Sequence, residues 1–205
     1  MTSLPEAKLT ITIPIGLSRL MRLLVSHGIK LKAAAGMPVK NFLKQVLPAS
    51  DDYLENKIQT IFMDGRAVDD TEQTQINTPC TIALSAAMPG VFGAAFRKKG
   101  IYSGMRAGYT QRPDTDKKNF KEKTTVPVTL KCFNQVAEDI GDALLGRGVN
   151  MDIKEFEKFW KLQQEVLEKN YVQIDLNNSR VNASGVTGFL AGKTGELKIK
   201  IETET

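Results

Sequence analysis

The stretch KIQTIFMDGRAVDD, residues 57–70, constrains the fold more than any other in this chain. Asp64-Gly65 separates two short apolar runs. A two-residue hairpin turn needs positive φ at both central positions, which Asp tolerates and Gly adopts freely. The chain is therefore expected to reverse there and to lay one strand against the next. The neighbouring stretches extend the pattern. KLTITIPI puts Leu9, Ile11 and Ile13 on one face at a period of two, as a strand does. LSRLMRLLVSHG offers a cap at Ser18, apolar Leu20, Leu23 and Leu24, and a stop at Gly28, and reads as a short helix or an irregular return. IKLKAAAG alternates again. In MPVKNFLKQVL, Pro38 sits near a helix start and Val39, Phe42, Leu43 and Val46 share a helical face. CTIALSA supplies a last strand. Residues 8–14, 29–34, 58–63 and 81–85 are thus expected to pair in one sheet, with a helix over 38–47 on one of its faces.

In that order, KLTITIPIGLSRLMRLLVSHGIKLKAAAGMPVKNFLKQVL, IFMDGRAVDD and INTPCTIALSAAMPG resemble the sulfur-carrier β-grasp proteins of the ubiquitin-like class, nearest the molybdopterin-synthase small subunit. The resemblance covers about residues 7–91 and includes the helix entry Gly36-Met37-Pro38-Val39. It implies a β-grasp fold. It also implies a chemistry that one position blocks. In that family the terminal glycine carboxylate is adenylated and becomes a thiocarboxylate, which needs a free chain end. Gly90 stands at the first tail glycine, Val91 replaces the second, and the chain runs on to residue 205. Carrier chemistry would require cleavage after Gly90. Without it the module is carrier-shaped and binds rather than reacts.

The net charge of +5 becomes informative once it is located. Residues 1–96 hold 9 basic and 8 acidic side chains, residues 97–123 hold 9 and 3, and residues 124–205 hold 10 and 12. That shift sets the expected organisation, an α+β chain with a β-grasp-like domain at 1–95, a basic linker segment at 96–125 and a second small α+β domain at 126–205. The basic stretch, rich in Gly and poor in periodicity, reads as a solvated linker or as a surface for anions. In the second reading Arg97, Lys98, Lys99, Arg106 and Arg112 meet phosphates while Tyr102, Tyr109 and Phe120 offer stacking planes, as nucleic-acid binding requires. An acidic protein partner or a smaller anion fits the same charges.

In the second half, VPVTLKCFNQVAEDIGDALLGRG reads as a helix with Leu130, Phe133, Ala137, Ile140 and Leu144 in one stripe and Gly146 past its end. MDIKEFEKFWKLQQEVLEKN reads as a second helix, capped by Asp152 with Glu155 three residues on. YVQIDLNN and ELKIKIETE alternate as strands, and SRVNASGVTGFLAGKTG between them reads as loop.

No catalytic group, cofactor site or metal site emerges. GFLAGKT lacks the first glycine of a phosphate loop, since position 187 is Thr, and a strand rather than a helix follows. The single histidine, His27, excludes a multi-His metal site and lies among leucines, and the sequence has no Gly-x-Ser-x-Gly elbow. Cys80 and Cys132 lack CxxC neighbours and read as buried free thiols. No run approaches the roughly 20 apolar residues that span a bilayer, and MTSLPEAKLTITIPIG lacks the basic and apolar regions of a secretory signal. The expectation is a cytoplasmic, non-enzymatic protein-binding or adaptor module. A sulfur carrier cleaved after Gly90 and a nucleic-acid- or anion-binding protein are the alternatives.

Overall fold

The structure, a computed structural model, describes residues 7–88, 90–98, 100–111, 124–170 and 172–204. From the N-terminus the chain forms strand β1 (Ala7–Ile13), a 3-10 turn, short helices α1 (Ser18–Arg22) and α2 (Leu24–His27), and strand β2 (Ile29–Ala34). Next come β3 (Met37–Pro38), helix α3 (Val39–Val46), the hairpin of β4 (Thr60–Met63) and β5 (Arg66–Ala67), β6 (Gln75–Ile76) and β7 (Cys80–Ser85). Helix α4 (Gly90–Phe96) and a 3-10 segment (Ile101–Tyr109) lead toward β8 (Thr125–Phe133), α5 (Asn134–Arg147) and β9 (Val149–Asp152). The chain ends with α6 (Ile153–Lys169), β10 (Gln173–Leu176), β11 (Ser179–Val181), α7 (Ala183–Leu190) and β12 (Glu196–Thr203). It is a mixed α and β protein whose strands pair both parallel and antiparallel.

Two compact units divide the chain: a terminal unit of Met1–Lys30 with Gly141–Thr205, and a middle unit of Leu31–Ile140. In the middle unit the strand order is β2-β8-β7-β4-β5. Strands β7 and β8 run parallel, with Ile82 opposite Leu130 and Leu84 opposite Cys132. Strand β4 pairs antiparallel with β7, and the hairpin to β5 turns at Asp64 (φ 50°) and Gly65 (φ 78°), as the sequence predicts. Helix α3 buries Val39, Phe42 and Leu43. Because side chains alternate along a strand, β8 buries Val126, Val128, Leu130 and Cys132 on one face.

In the terminal unit the order is β9-β12-β1-β10-β11. Strands β12 and β1 run parallel, with Leu9 opposite Ile199 and Ile11 opposite Ile201. Strand β1 pairs antiparallel with β10, and the β10–β11 hairpin turns at Asn177 and Asn178, both at positive φ. Helix α6 follows β9, as α3 follows β2. Asp152 caps it, accepting hydrogen bonds from the backbone N–H groups of Lys154 and Glu155, and Phe156, Phe159 and Trp160 are fully buried. The indole N–H of Trp160 donates to Thr187 Oγ1 at 3.0 Å, which satisfies it inside the core.

Two expectations change. Residues 125–133 form a strand rather than the first half of a helix. The Val126, Val128, Leu130, Cys132 alternation outweighs the 3.6-residue stripe, and α5 begins only at Asn134. Residues 183–190 form helix α7 rather than loop, because the Asn182 side chain accepts from the Gly185 N–H at 2.8 Å and caps it. Strand β1, expected in one sheet with residues 29–34, 58–63 and 81–85, is in the same sheet and has β10 and β12 as its hydrogen-bonded neighbours, and the parallel partner of β7 is β8. The terminal unit draws its strands from both ends of the sequence, whereas the middle unit is the continuous stretch Leu31–Ile140.

Candidate functional site

The site grows from the chain that continues past β7. Gly90 opens helix α4 at φ +79°. At Gly93 any Cβ would lie 2.0 Å from the carbonyl oxygen of Met88, so only glycine lets the helix fold back so closely. The segment is then tied to the rest of the middle unit by its backbone. The Lys98 N–H donates to Gln59 O at 2.6 Å, and the Gln111 N–H donates to Ala67 O at 2.7 Å. A single parallel bridge joins Thr110 to Ala67 on β5.

Arg106 is the internal anchor. It is 2% exposed, and its guanidinium donates to Asp69 Oδ1 at 2.6 Å, Thr110 Oγ1 at 3.2 Å and the carbonyls of Ala95 and Arg97. It also lies 5.9 Å from the centroid of the Phe96 ring. A planar five-donor group suits this role, because it satisfies carbonyls and a carboxylate from several segments at once.

Around that anchor opens a groove of about 620 Å³, lined by Phe62, Val91, Ala95, Phe96, Met105 and Tyr109, with Arg106 at its side. Phe62 and Phe96 meet with ring centroids 5.3 Å apart. Val91, Met105 and Tyr109 are exposed, as are Ile101 and Tyr102 earlier in the 3-10 segment. Large apolar side chains gathered at a concave surface mark a binding site, whereas single ones scattered over a surface do not.

Of the basic residues singled out in the sequence, Arg97 is exposed at the end of α4. Lys98 is half-buried, its ammonium donating to the carbonyls of Leu54 at 3.0 Å and Glu55 at 3.2 Å. Arg106 is turned inward and bound, so its charge is used for folding the segment. Lys99 and Arg112 lie outside the described residues, as does Phe120. The structure therefore does not gather these five on one described face. It gathers instead the apolar residues interleaved with them. The spacing Met105–Tyr109 and the small-residue run Gly93-Ala94-Ala95 carried that information, although neither pattern reveals a concave surface.

A second, polar recess of about 240 Å³ lies near Lys40, Glu55, Asp69 and Glu72. Lys40 Nζ bridges Glu72 at 2.8 Å and Glu55 at 2.9 Å, and those hydrogen bonds raise its pKa. Both cysteines are buried free thiols of the middle unit. Burial, then the charge of Asp64, pushes Cys80 up to about 11, and burial pushes Cys132 up to about 12. The Tyr53 hydroxyl, raised by burial and then by its hydrogen bond, donates to Asp139 at 2.8 Å. His27 stacks edge-on to Phe159 and faces Glu155 at 3.8 Å. No cluster of three metal-ligating side chains occurs among the described residues, and none of their helices is long and apolar enough to cross a membrane.

No protein-family model, no curated protein and no solved structure matches this chain.

Proposed function

We propose that the protein is a non-enzymatic binding module, built on two β-grasp-like units, that recognises another protein through the groove of the middle unit. The observation that carries this reading is the groove itself, with Val91, Met105 and Tyr109 exposed around it. Burying such side chains is worth about 25 cal/mol per Å² of apolar surface, and aromatic side chains, with Arg, tend to dominate interface energetics. The β-grasp reading draws support from both units. Each has a central parallel pair, an antiparallel hairpin beside it, and a helix following the strand on the other side.

The carrier alternative has less support. Cleavage after Gly90 would separate β7 from β8, its parallel partner, and with it Leu130 and Cys132, which are 0% exposed. The nucleic-acid alternative is weakened by Arg106, whose donors are already taken within the fold.

A photoreactive phenylalanine analogue placed at Met105 in the native host tests the proposal. A control carries it at Leu162, an exposed position of the terminal unit. A discrete protein adduct at 105, absent at 162 and lost when Val91 is changed to Asp, is expected. No adduct at 105, or one destroyed by nuclease, would overturn it.

A further inference from the structure

The outward face of the terminal unit's sheet carries lysines that the strand register sets side by side. Side chains alternate along a strand, so burying Leu9 and Ile11 on β1 and Leu197, Ile199 and Ile201 on β12 turns Lys8, Lys198 and Lys200 outward. Lys8 stands opposite Lys198, Lys198 opposite Asn150 on β9, and Asn150 opposite Lys30, also of the terminal unit. Neighbouring strands lie about 4.8 Å apart, so this row spans about 14 Å. Like charges directly opposite one another destabilise a sheet. Lys8 and Lys198 are nonetheless exposed with no side-chain hydrogen bond or ion pair among the described residues. Most carboxylates of the face are committed. Glu202 pairs with Lys200 at 2.6 Å, Asp175 with Arg180 at 3.0 Å, and Asp152 accepts from the N–H groups that it caps. Glu196, exposed at the start of β12, has no such partner, but Lys198 leans away from it. The Cε of Lys198 is 3.5 Å from where a Cβ on Gly148 would stand, a point 3.9 Å from the Cβ of Lys200.

Separately from the groove of the middle unit, we propose that this face binds a linear phosphoanhydride chain, inorganic polyphosphate, through Lys8, Lys198 and Lys200. Lysine is a compact point charge that meets phosphate oxygens without a fixed fork geometry. The Lys200–Glu202 contact is a surface pair, of a kind that contributes little, so a denser anion displaces the carboxylate. Successive phosphates of such a chain share one bridging oxygen, whereas a sugar separates those of a nucleic acid. Only the closer spacing of charge matches two lysines on adjacent strands. The outward neighbours Thr10, Thr12 and Asn150 offer polar groups and no ring on which a base could stack. The bound anion relieves the repulsion between Lys8 and Lys198. The opposed lysines therefore cost the free protein stability that the complex recovers.

Fluorescence anisotropy of the full chain with end-labelled polyphosphate tests this, with single-stranded RNA and duplex DNA of equal phosphate content as competitors. Saturable binding is expected at low salt, weakening as the screening length falls from about 10 Å at 0.1 M to about 3 Å at 1 M. Unlabelled polyphosphate should compete at least fivefold better than either nucleic acid. A Lys8→Thr/Lys198→Thr variant should bind at least tenfold more weakly, yet unfold at an equal or higher urea concentration than the parent. Lys8→Arg/Lys198→Arg should keep most of the binding, and Arg97→Gln, in the middle unit, should leave it unchanged. Undiminished binding by the threonine variant, or an equal loss in Arg97→Gln, would overturn the site. Better competition by RNA or DNA would overturn polyphosphate as the ligand, and no binding at low salt would overturn both.

Discussion

In the terminal unit the hairpin strand β10 carries Asp175 two residues before its turn, and Asp175 sits opposite Arg180 and pairs with it at 3.0 Å. In the middle unit the position two residues before the turn is Phe62, opposite Ala67. The two hairpins are otherwise built alike. Asp64 exchanges two hydrogen bonds with Thr81 on β7: its N–H donates to Thr81 O at 2.9 Å, and its carboxylate accepts from the Thr81 N–H at 2.8 Å. Asn177 does the same with Lys8 on β1, at 2.8 and 2.9 Å. Strand β1 therefore holds in one unit the place that β7 holds in the other, with Leu9 corresponding to Ile82 and Ile11 to Leu84. A common skeleton with an ionic face on one hairpin and an apolar face on the other localises the difference. It lies in Phe62 and in the chain at 90–111 that packs near it, and that is where we place recognition.

If the skeletons correspond, matched core truncations should cost alike. Leu130→Ala in β8 and Ile199→Ala in β12, both 0% exposed, should each destabilise by about 2–5 kcal/mol in urea denaturation. A small effect at either would break the correspondence of the parallel pairs.

The anchors should then separate the units. Arg106→Met removes a buried cation, and losses of this kind cost about 3–5 kcal/mol; the low end is expected because Asp69 keeps contact with water. Hydrogen exchange should rise across 90–111. Arg180→Met, at an exposed pair, should cost only about 0–1 kcal/mol. Similar costs at both would remove the distinction between a folding anchor and a surface pair.

The turn residues sharpen the likeness at a smaller scale. Asp64→Ala and Asn177→Ala each place a Cβ-bearing residue without a side-chain acceptor at positive φ, at a cost of about 1–2 kcal/mol. The two losses should agree. The smallest effect is alkaline and confined to the middle unit, which holds both thiols. Their folded pKa values, about 11 and 12, lie above the ordinary thiol value, so the folded state binds more protons there than the unfolded one. That contribution to stability is complete below pH of about 8.5 and declines as pH rises toward 11. Native alkylation by iodoacetamide at pH 8 should be slow, and fast labelling of Cys132 would contradict its burial.

Much of the first half was legible because local signals agreed: alternation at 9–13, the Asp-Gly turn, and the helix entry at Val39. Pairing was not legible. Local alternation says that Leu9, Ile11 and Ile13 line one face of a strand, but it carries no information about whether residues 81–85 or 196–203 lie beside them. At 125–133 two periods overlapped, since Leu130 and Phe133 fit a helix while Val126, Val128, Leu130 and Cys132 fit a strand, and burial favours the strand. The groove was hidden for a different reason. Its basic residues stood out by composition, yet Arg106 is spent inside, and concavity arises from contacts between Phe62 and a segment some thirty residues later.

The account turns on the middle unit alone offering the protein-docking surface. Amide chemical shifts of the full chain, followed during titration with synthetic peptides that carry Leu and Phe side chains, test this most directly. We predict saturable shifts at residues 62–66 and 91–109, with residues 173–181 of the corresponding hairpin unmoved. Equal shifts at both hairpins, or shifts confined to 173–181, would contradict it.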